Sequence, residues 1–348
     1  MNAAEEIHRE LYGPDARISA GKEAPSNPAE LLIVEGDGSR YRTNEADERK
    51  KRRKDDAESA EAADSPSGAE FAVENAHDAI TPEQRDRGWR ENKVGVVIRA
   101  LPGHTNSDGE YVPPTELVKT YVATTGGIDE FGRDLRTEAE RRGIEAAKDV
   151  VLVSDNGHGM PAMLEREFRS QYTTNRVTDF YHTAERLSDC TKTICGEGAH
   201  DAPARASMYL KVRGLLWDGK VEAVIDRLTP DAEALAPRPK TLSELDSKPN
   251  AKDLWTHVMY LEKYKATMDY PEYRRKGWPI GSGSVESACG QFGDRVKHAR
   301  MRWTRKGADA LHVVKAAILS GDGRWERRYP APIPVLELNG ALAVAGAG

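Results

Sequence analysis

The chain has 348 residues, 38% of them hydrophobic and 31% charged, with a formal net charge of −6. That length accommodates one large domain or two ordinary ones around a sizeable core. No apolar run approaches the ~20 residues of a membrane helix and no signal-peptide core is present, which argues against a membrane partner and for a cytoplasmic protein.

Residues 1–30 are polar, contain Gly and Pro, and show no convincing strand or helix pair, so they read as a leader or an N-terminal remnant. Leu31-Leu32-Ile33-Val34 is then the pattern of a buried strand, expected to end at Gly36-Asp37-Gly38. Segment 44–88 differs in kind: a basic block from Glu48 to Asp56 leads into Glu, Ala, Asp and Ser with few large apolar residues. Such a composition buries too little surface to offset its ordering entropy, and the segment is expected to be a disordered charged insertion.

Order resumes at Trp89. Val94-Gly95-Val96-Val97-Ile98 and Thr120-Tyr121-Val122-Ala123 read as strands, separated by a loop rich in Gly, Asp and Pro. Ile128, Phe131, Leu135 and Ala139 recur at spacings of three and four, an amphipathic helix stopped by Gly143. Val150-Val151-Leu152-Val153 is wholly apolar, as expected of a strand buried on both faces. A helix through Met160, Leu164 and Phe168 follows, then a fifth strand from Val177 to Tyr181.

From Thr183 to about Tyr273 the pattern is helical, with stripes at Val221, Val224 and Leu228 and at Leu254, Val258, Leu261, Tyr264 and Met268. A last pair of helices is expected, one capped by Ser284 and running on through a basic stretch, the other carrying Leu311, Val314 and Ile318. The order predicts an α/β fold: a mixed five-stranded sheet with flanking helices and an α-helical insertion, 183–278, before the last helix. On this reading 31–182 form the first part of the core and 279–327 complete it. The tail, 328–348, is expected to be loose.

Three acidic residues stand where chemistry gathers. Asp37 is expected to close the first strand and Asp155 the fourth, while Glu286 opens the helix after Gly281-Ser282-Gly283-Ser284. Ligands of open α/β sheets collect at the carboxyl ends of strands, and an acid in the first turn suits the helix dipole. Three convergent carboxylates repel one another unless cations neutralise them, and hard oxygen ligands select Mg²⁺ or Mn²⁺. Each residue also has a plain reading: Asp37-Gly38 and Asp155-Asn156-Gly157 are good turn signals, and Glu286 is a favourable first-turn acid.

Asp179 and His182 form an auxiliary pair, which reads either as a catalytic contact or as a buried hydrogen-bonded pair at the strand-to-helix junction. From Arg295 to Lys306 six basic residues (Arg295, Lys297, Arg300, Arg302, Arg305 and Lys306) occur with no acidic one, a patch suited to DNA phosphate or to a solvated helix face. Trp303, within it, reads as a core residue or as a base-stacking one. The three cysteines, Cys190, Cys195 and Cys289, are too few for a disulfide framework. Cys190 and Cys195 with His182 and His200 match no zinc-motif spacing and read as half-buried helix residues.

Four passages carry a family resemblance. They are Val34-Glu35-Gly36-Asp37-Gly38-Ser39-Arg40-Tyr41-Arg42; Trp89 to Val97; Val151 to Asp155 continued by Thr178-Asp179-Phe180-Tyr181-His182 and Glu185; and Pro279-Ile280-Gly281-Ser282-Gly283-Ser284-Val285-Glu286-Ser287 with Met301-Arg302-Trp303-Thr304. Over roughly residues 31–327 the chain resembles the ISKra-type insertion-sequence transposases and, more distantly, the Mutator-like ones. The resemblance implies an RNase H-like catalytic domain whose Asp-Asp-Glu triad is Asp37, Asp155 and Glu286. It implies two divalent metal ions, element-end and target DNA as partners, a homo-oligomer when active, and association with the nucleoid.

The chain departs from the family where relatives usually carry Gly after the second aspartate: here it is Asn156. Only 36 residues precede Asp37, fewer than a helix-turn-helix domain and linker occupy. The competing expectations are therefore a truncated, non-catalytic DNA-binding remnant and, from a different class, another metal-dependent hydrolase sharing the carboxylate cluster.

Overall fold

β-branched and aromatic residues supply the framework. A computed structural model of the chain describes residues 3–43, 88–157, 159–296, 303–330, 335–338 and 341–344. The segment 44–88, expected to be disordered, lies outside the described residues except for Gly88. The main strands are β1 (Leu31–Arg42), β2 (Trp89–Leu101), β5 (Thr115–Thr124), β6 (Asp149–Ser154) and β7 (Asn175–Thr178), with β3 (His104–Thr105) and β4 (Tyr111–Val112) forming a small hairpin in the loop before β5. They make one mixed sheet in the order β5-β2-β1-β6-β7. β1 is antiparallel to β2 and parallel to β6, β2 is antiparallel to β5, and β7 is parallel to β6.

Alternation along β1 sorts the two faces. Leu32 and Val34 join Val97, Leu152 and Val122 beneath α3 (Ile128–Arg141) and α4 (Met160–Leu164), whose Phe131, Leu135 and Met160 pack there. Gly95 permits this approach, because a Cβ built on it would stand 2.6 Å from Leu135 Cδ1. Leu31 and Ile33 face the other way, into the larger core with Val96, Val153 and Val177.

That second face carries the predicted helical insertion: α5 (Phe180–Cys195), α6 (Ala202–Trp217), α7 (Val221–Leu235), α8 (Pro249–Tyr264) and α9 (Tyr270–Lys276). Both stripes expected from periodicity are buried, Val221, Val224 and Leu228 on α7, and Leu254, Val258 and Leu261 on α8. α10 (Gly283–Val296) then returns to the sheet with Val285, Ala288 and Phe292, followed by α11 (Arg305–Leu319) and α12 (Arg324–Arg328). No helix of the described residues is long and apolar enough to cross a membrane.

Five expectations need correction. Residues 3–23 are not a featureless leader but α1 (Ala3–Tyr12), α2 (Pro14–Ser19) and a 3₁₀ turn, Ala20–Glu23. Ala4 and Ile7 of α1 pack on Val313 and Ala317 of α11, so tertiary burial supports a helix too short to stand alone. β1 does not end at Asp37: it stays paired with β2 as far as Arg42 opposite Trp89. The last strand stops at Thr178, because the Asp179 side chain caps α5 and draws Phe180 and Tyr181 into its first turn. α10 begins at Gly283, which puts Ser284 inside the helix instead of at its cap. In the tail, Val335–Leu338 and Ala341–Val344 pair as an antiparallel ribbon, β8 and β9.

Candidate active site

β6 pairs with β1 only as far as Val153 opposite Glu35. Beyond that point β1 runs on with β2, and Asp37, opposite Val94, lies past the end of the parallel pairing. Asp155 directly follows Ser154, the last residue of β6. Asp37 shares its face with Ile33 and Glu35, two and four residues back along the strand. The start of α10 sits on that same face: the Val285 backbone N–H donates to Glu35 Oε2 at 2.7 Å, and the next residue is Glu286. Of the three carboxylates singled out by sequence, Asp155 and Glu286 stand at element ends, whereas Asp37 lies within β1, two residues beyond its pairing with β6. They do not form a single tight cluster.

The tight cluster is Asp179, His182 and Glu286, whose nearest ligand atoms all lie within 4.8 Å of one another. Asp179, fully buried, uses both oxygens as anchors. Its Oδ1 accepts from the His182 backbone N–H at 2.8 Å, capping α5. Its Oδ2 accepts from the backbone N–H and the hydroxyl of Ser282, each at 2.5 Å. The Ser282 hydroxyl also stands 3.2 Å from Glu286 Oε1, and His182 Nε2 is 3.3 Å from the same oxygen. His182 Nδ1 faces Glu185 Oε2 at 3.3 Å. Asp179 thus braces the strand-to-helix junction through the His182 backbone N–H, but the pair is not buried together: the His182 ring is part-exposed and lies against Glu286 and Glu185.

Electrostatics follow from this packing. Burial lowers the His182 pKa, but the carboxylates of Asp179, Asp155, Glu286 and Glu185 outweigh it and the net shift is upward. Glu35, overlooked in the sequence, is buried in the same face, and burial pushes its carboxyl up to about 8 against the opposing pull of the Val285 hydrogen bond. The period-two alternation Ile33, Glu35, Asp37 was the available signal, since it aims a second carboxylate at the core.

The departure at Asn156 has a structural answer. Asn156 adopts φ 67°, the left-handed region that glycine enters freely and asparagine tolerates best among the other residues. Its buried amide earns the position: Nδ2 donates to Thr178 Oγ1 at 2.9 Å and to the Tyr260 hydroxyl at 3.2 Å, and Oδ1 accepts from Arg176. The Tyr260 hydroxyl in turn donates to the Asp155 carbonyl at 3.1 Å, linking the end of β6 to the helical insertion. Asn156→Ala strains the backbone and strips these partners, and is expected to lower unfolding free energy by about 2–4 kcal/mol. Asn156→Gly keeps the backbone and should lose less; chemical denaturation of both variants checks the ranking, which reversed would remove φ as the reason for Asn156.

The basic stretch is described only in part. Lys297, Arg300 and Arg302 lie outside the described residues, as does the Arg295 side chain, and α10 is followed to Val296. Arg305 is exposed at the start of α11, whereas Lys306 Nζ is bound to Glu5 Oε1 at 2.7 Å. Trp303 bridges to Thr43 and packs with Tyr41, Val296 and Ala308, in line with its core reading. Cys190 is buried in α5, Cys195 ends that helix, and neither belongs to a ligand cluster among the described residues.

The donor set suits a hard divalent cation. Asp179, His182 and Glu286 each offer a ligand atom within 4.8 Å of the others, while Asp37 and Asp155 are partly exposed nearby in the fold and Glu286 is exposed. His182 adds a nitrogen that Mn²⁺ tolerates better than Mg²⁺. No family model matches the chain, and no curated protein matches it.

Proposed function

We propose that this chain is the catalytic domain of a metal-dependent DNA strand-cleaving and strand-transferring enzyme, a DDE transposase with an RNase H-like architecture. What supports the reading is that three acids, 249 residues apart at the extremes (286 − 37), come to neighbouring elements: Asp37 lies two residues past the end of the β1–β6 pairing, Asp155 directly follows β6, and Glu286 follows Val285, whose N–H binds Glu35 on the Asp37 face. The mixed sheet order is compatible with that architecture. A pair of divalent cations, when bound, would activate the nucleophile and stabilise the leaving oxygen at phosphorus. Asp37, Asp155 and Glu286 would hold them, and Ser282 and Asp179 would fix the backbone from which Glu286 projects. His182, whose Nε2 is 3.3 Å from Glu286 Oε1, would contact the scissile phosphate.

Phosphate binding beside the site falls to the basic stretch, in which the structure distinguishes two neighbours. Arg305→Gln should lower the log–log salt slope of duplex DNA binding by about 0.9, while Lys306→Gln, already neutralised by Glu5, should lower it by much less. Equal losses would mean that the Glu5 pair opens on binding.

The test of the activity itself is a comparison of substrates. Purified chain with Mg²⁺ or Mn²⁺ should nick supercoiled DNA, a chelator should stop it, and a phosphomonoester should not turn over. Turnover of the monoester without nicking would favour the unrelated hydrolase. DNA binding with no metal-dependent nicking would favour a non-catalytic remnant.

A further inference from the structure

The turn that leads into α10 borders a second feature, a cleft of about 310 Å³. Its walls include Tyr111, Pro113, Pro114 and Tyr181, and Glu35 lines it from within the sheet. Largely apolar walls with a few polar groups, here Glu35, Glu116 and Ser284, are the usual make-up of a small-ligand site. Glu35 is only 2% exposed, and among the described residues its hydrogen bonding engages Oε2 alone, through Val285, leaving Oε1 for a ligand.

Tyr181 is the second observation. It is 55% exposed although its neighbours Asp179 and Phe180 are fully buried. The ring is nevertheless held: it meets Phe180 edge to face at 5.5 Å, and a Cβ built on Gly281 would stand 2.5 Å from its Cδ2. Glycine at 281 therefore lets the turn before α10 close against one side of a residue that otherwise stays more than half open to solvent. Tyr181 immediately precedes His182, and Gly281, Gly283 and Ser284 of the segment leading to Glu286 line the same cleft.

We infer that this cleft receives one unpaired nucleobase of a DNA strand, stacked on Tyr181 with its polar edge toward Glu35. The inference rests on the proposed DNA-cleaving function for the identity of the ligand. A base drawn out of the helix beside the scissile phosphate would set the strand's register by stacking, which tolerates any base because each has a π face.

The test uses the full chain in chelator, so that no strand is cut, and a short single-stranded DNA carrying one 2-aminopurine as the fluorescent probe. Tyr181→Ala should weaken binding between about 5- and 150-fold and abolish the change in 2-aminopurine emission. Tyr181→Phe, which keeps the ring, should stay near wild type. Glu35→Met should weaken binding too, and Tyr181→Ala, at an exposed position, keeps the test valid if that core variant fails to fold. Unchanged affinity and emission in Tyr181→Ala overturn the inference. Loss of base binding in Tyr181→Ala alongside persistent nicking by triad variants would instead overturn the assigned metal ligands and leave the cleft standing. Triad variants that stop cutting while Tyr181→Ala binds normally would do the reverse.

Discussion

Glu138→Ala is expected to lower unfolding free energy by about 3–5 kcal/mol, the usual result of removing one partner from a buried ion-pair network. Glu138 is fully buried in α3 and holds Arg324 at 2.7 Å, Arg141 at 2.8 Å and Arg142 at 2.9 Å. Arg324 also binds Asp322 at 2.7 Å, and Arg141 reaches Glu23 at 2.7 Å and the Leu11 carbonyl at 2.8 Å. One carboxylate thus ties the N-terminal helices and the segment around α12 to the central sheet layer. Thermal unfolding should report a melting temperature lower by roughly 4–8 °C. A change within about 1 kcal/mol would mean that the arginines find water once the acid is gone.

The same network predicts the acid limb of stability. Burial raises the Glu138 pKa, but Arg324, Arg142 and Arg141 overcome it and hold the carboxyl well below its ordinary 4.5. Burial likewise raises Asp322, and Arg324 and Arg142 bring it down from 3.8 to about 2. A depressed folded-state pKa gives stability that is present above the unfolded value and is lost as pH falls through the folded one. Stability should therefore decline from about pH 4.5 toward pH 2, and Asp322→Asn should make that decline shallower. Denaturant titrations at stepped pH check the slope; an unchanged slope in Asp322→Asn would exclude Asp322 as a contributor.

Periodicity revealed what burial dictates. The apolar run at Val150–Val153, the three-and-four spacing of Phe131, Leu135 and Ala139, and the stripes of the helical insertion all appear where expected, because each is buried along one element. Contacts between distant segments were not legible. α1 has an apolar edge at Ala4 and Ile7 whose partner lies some 300 residues onward in α11. Asp37-Gly38 has the chemistry of a turn, yet the β2 ladder overrides it and keeps the chain extended to Arg42. At the site, Asp37, Asp155 and Glu286 were legible singly, although Asp37 proved to lie within its strand and not at its end. Ser282, which joins Asp179 to Glu286, and Glu35, which receives the α10 N–H group, became functional candidates only once the turn was seen docked.

The second large effect concerns chemistry. If Asp37, Asp155 and Glu286 hold the cations, Asp37→Asn, Asp155→Asn and Glu286→Gln should each reduce strand cleavage by well over ~100-fold, since even partners one shell removed from a metal are worth 10–100-fold. Binding should respond differently. Each substitution removes a negative charge beside phosphate, so DNA affinity should hold or rise slightly. Glu286→Gln leaves the fold little disturbed, because Glu286 is exposed and its hydrogen bond to Ser282 survives as an amide contact. Asp179→Asn is informative beside it: that residue is committed to Ser282 and the His182 N–H, so its loss should lower thermal stability as well as cleavage.

The most direct measurement is Mg²⁺-dependent nicking of supercoiled DNA by wild type, Asp155→Asn and Glu286→Gln, with DNA affinity measured on the same preparations. The wild type should nick, neither variant should, and both variants should bind DNA with affinities at or slightly above wild type. Variants that still nick at the wild-type rate, or that lose nicking and binding together, would contradict it.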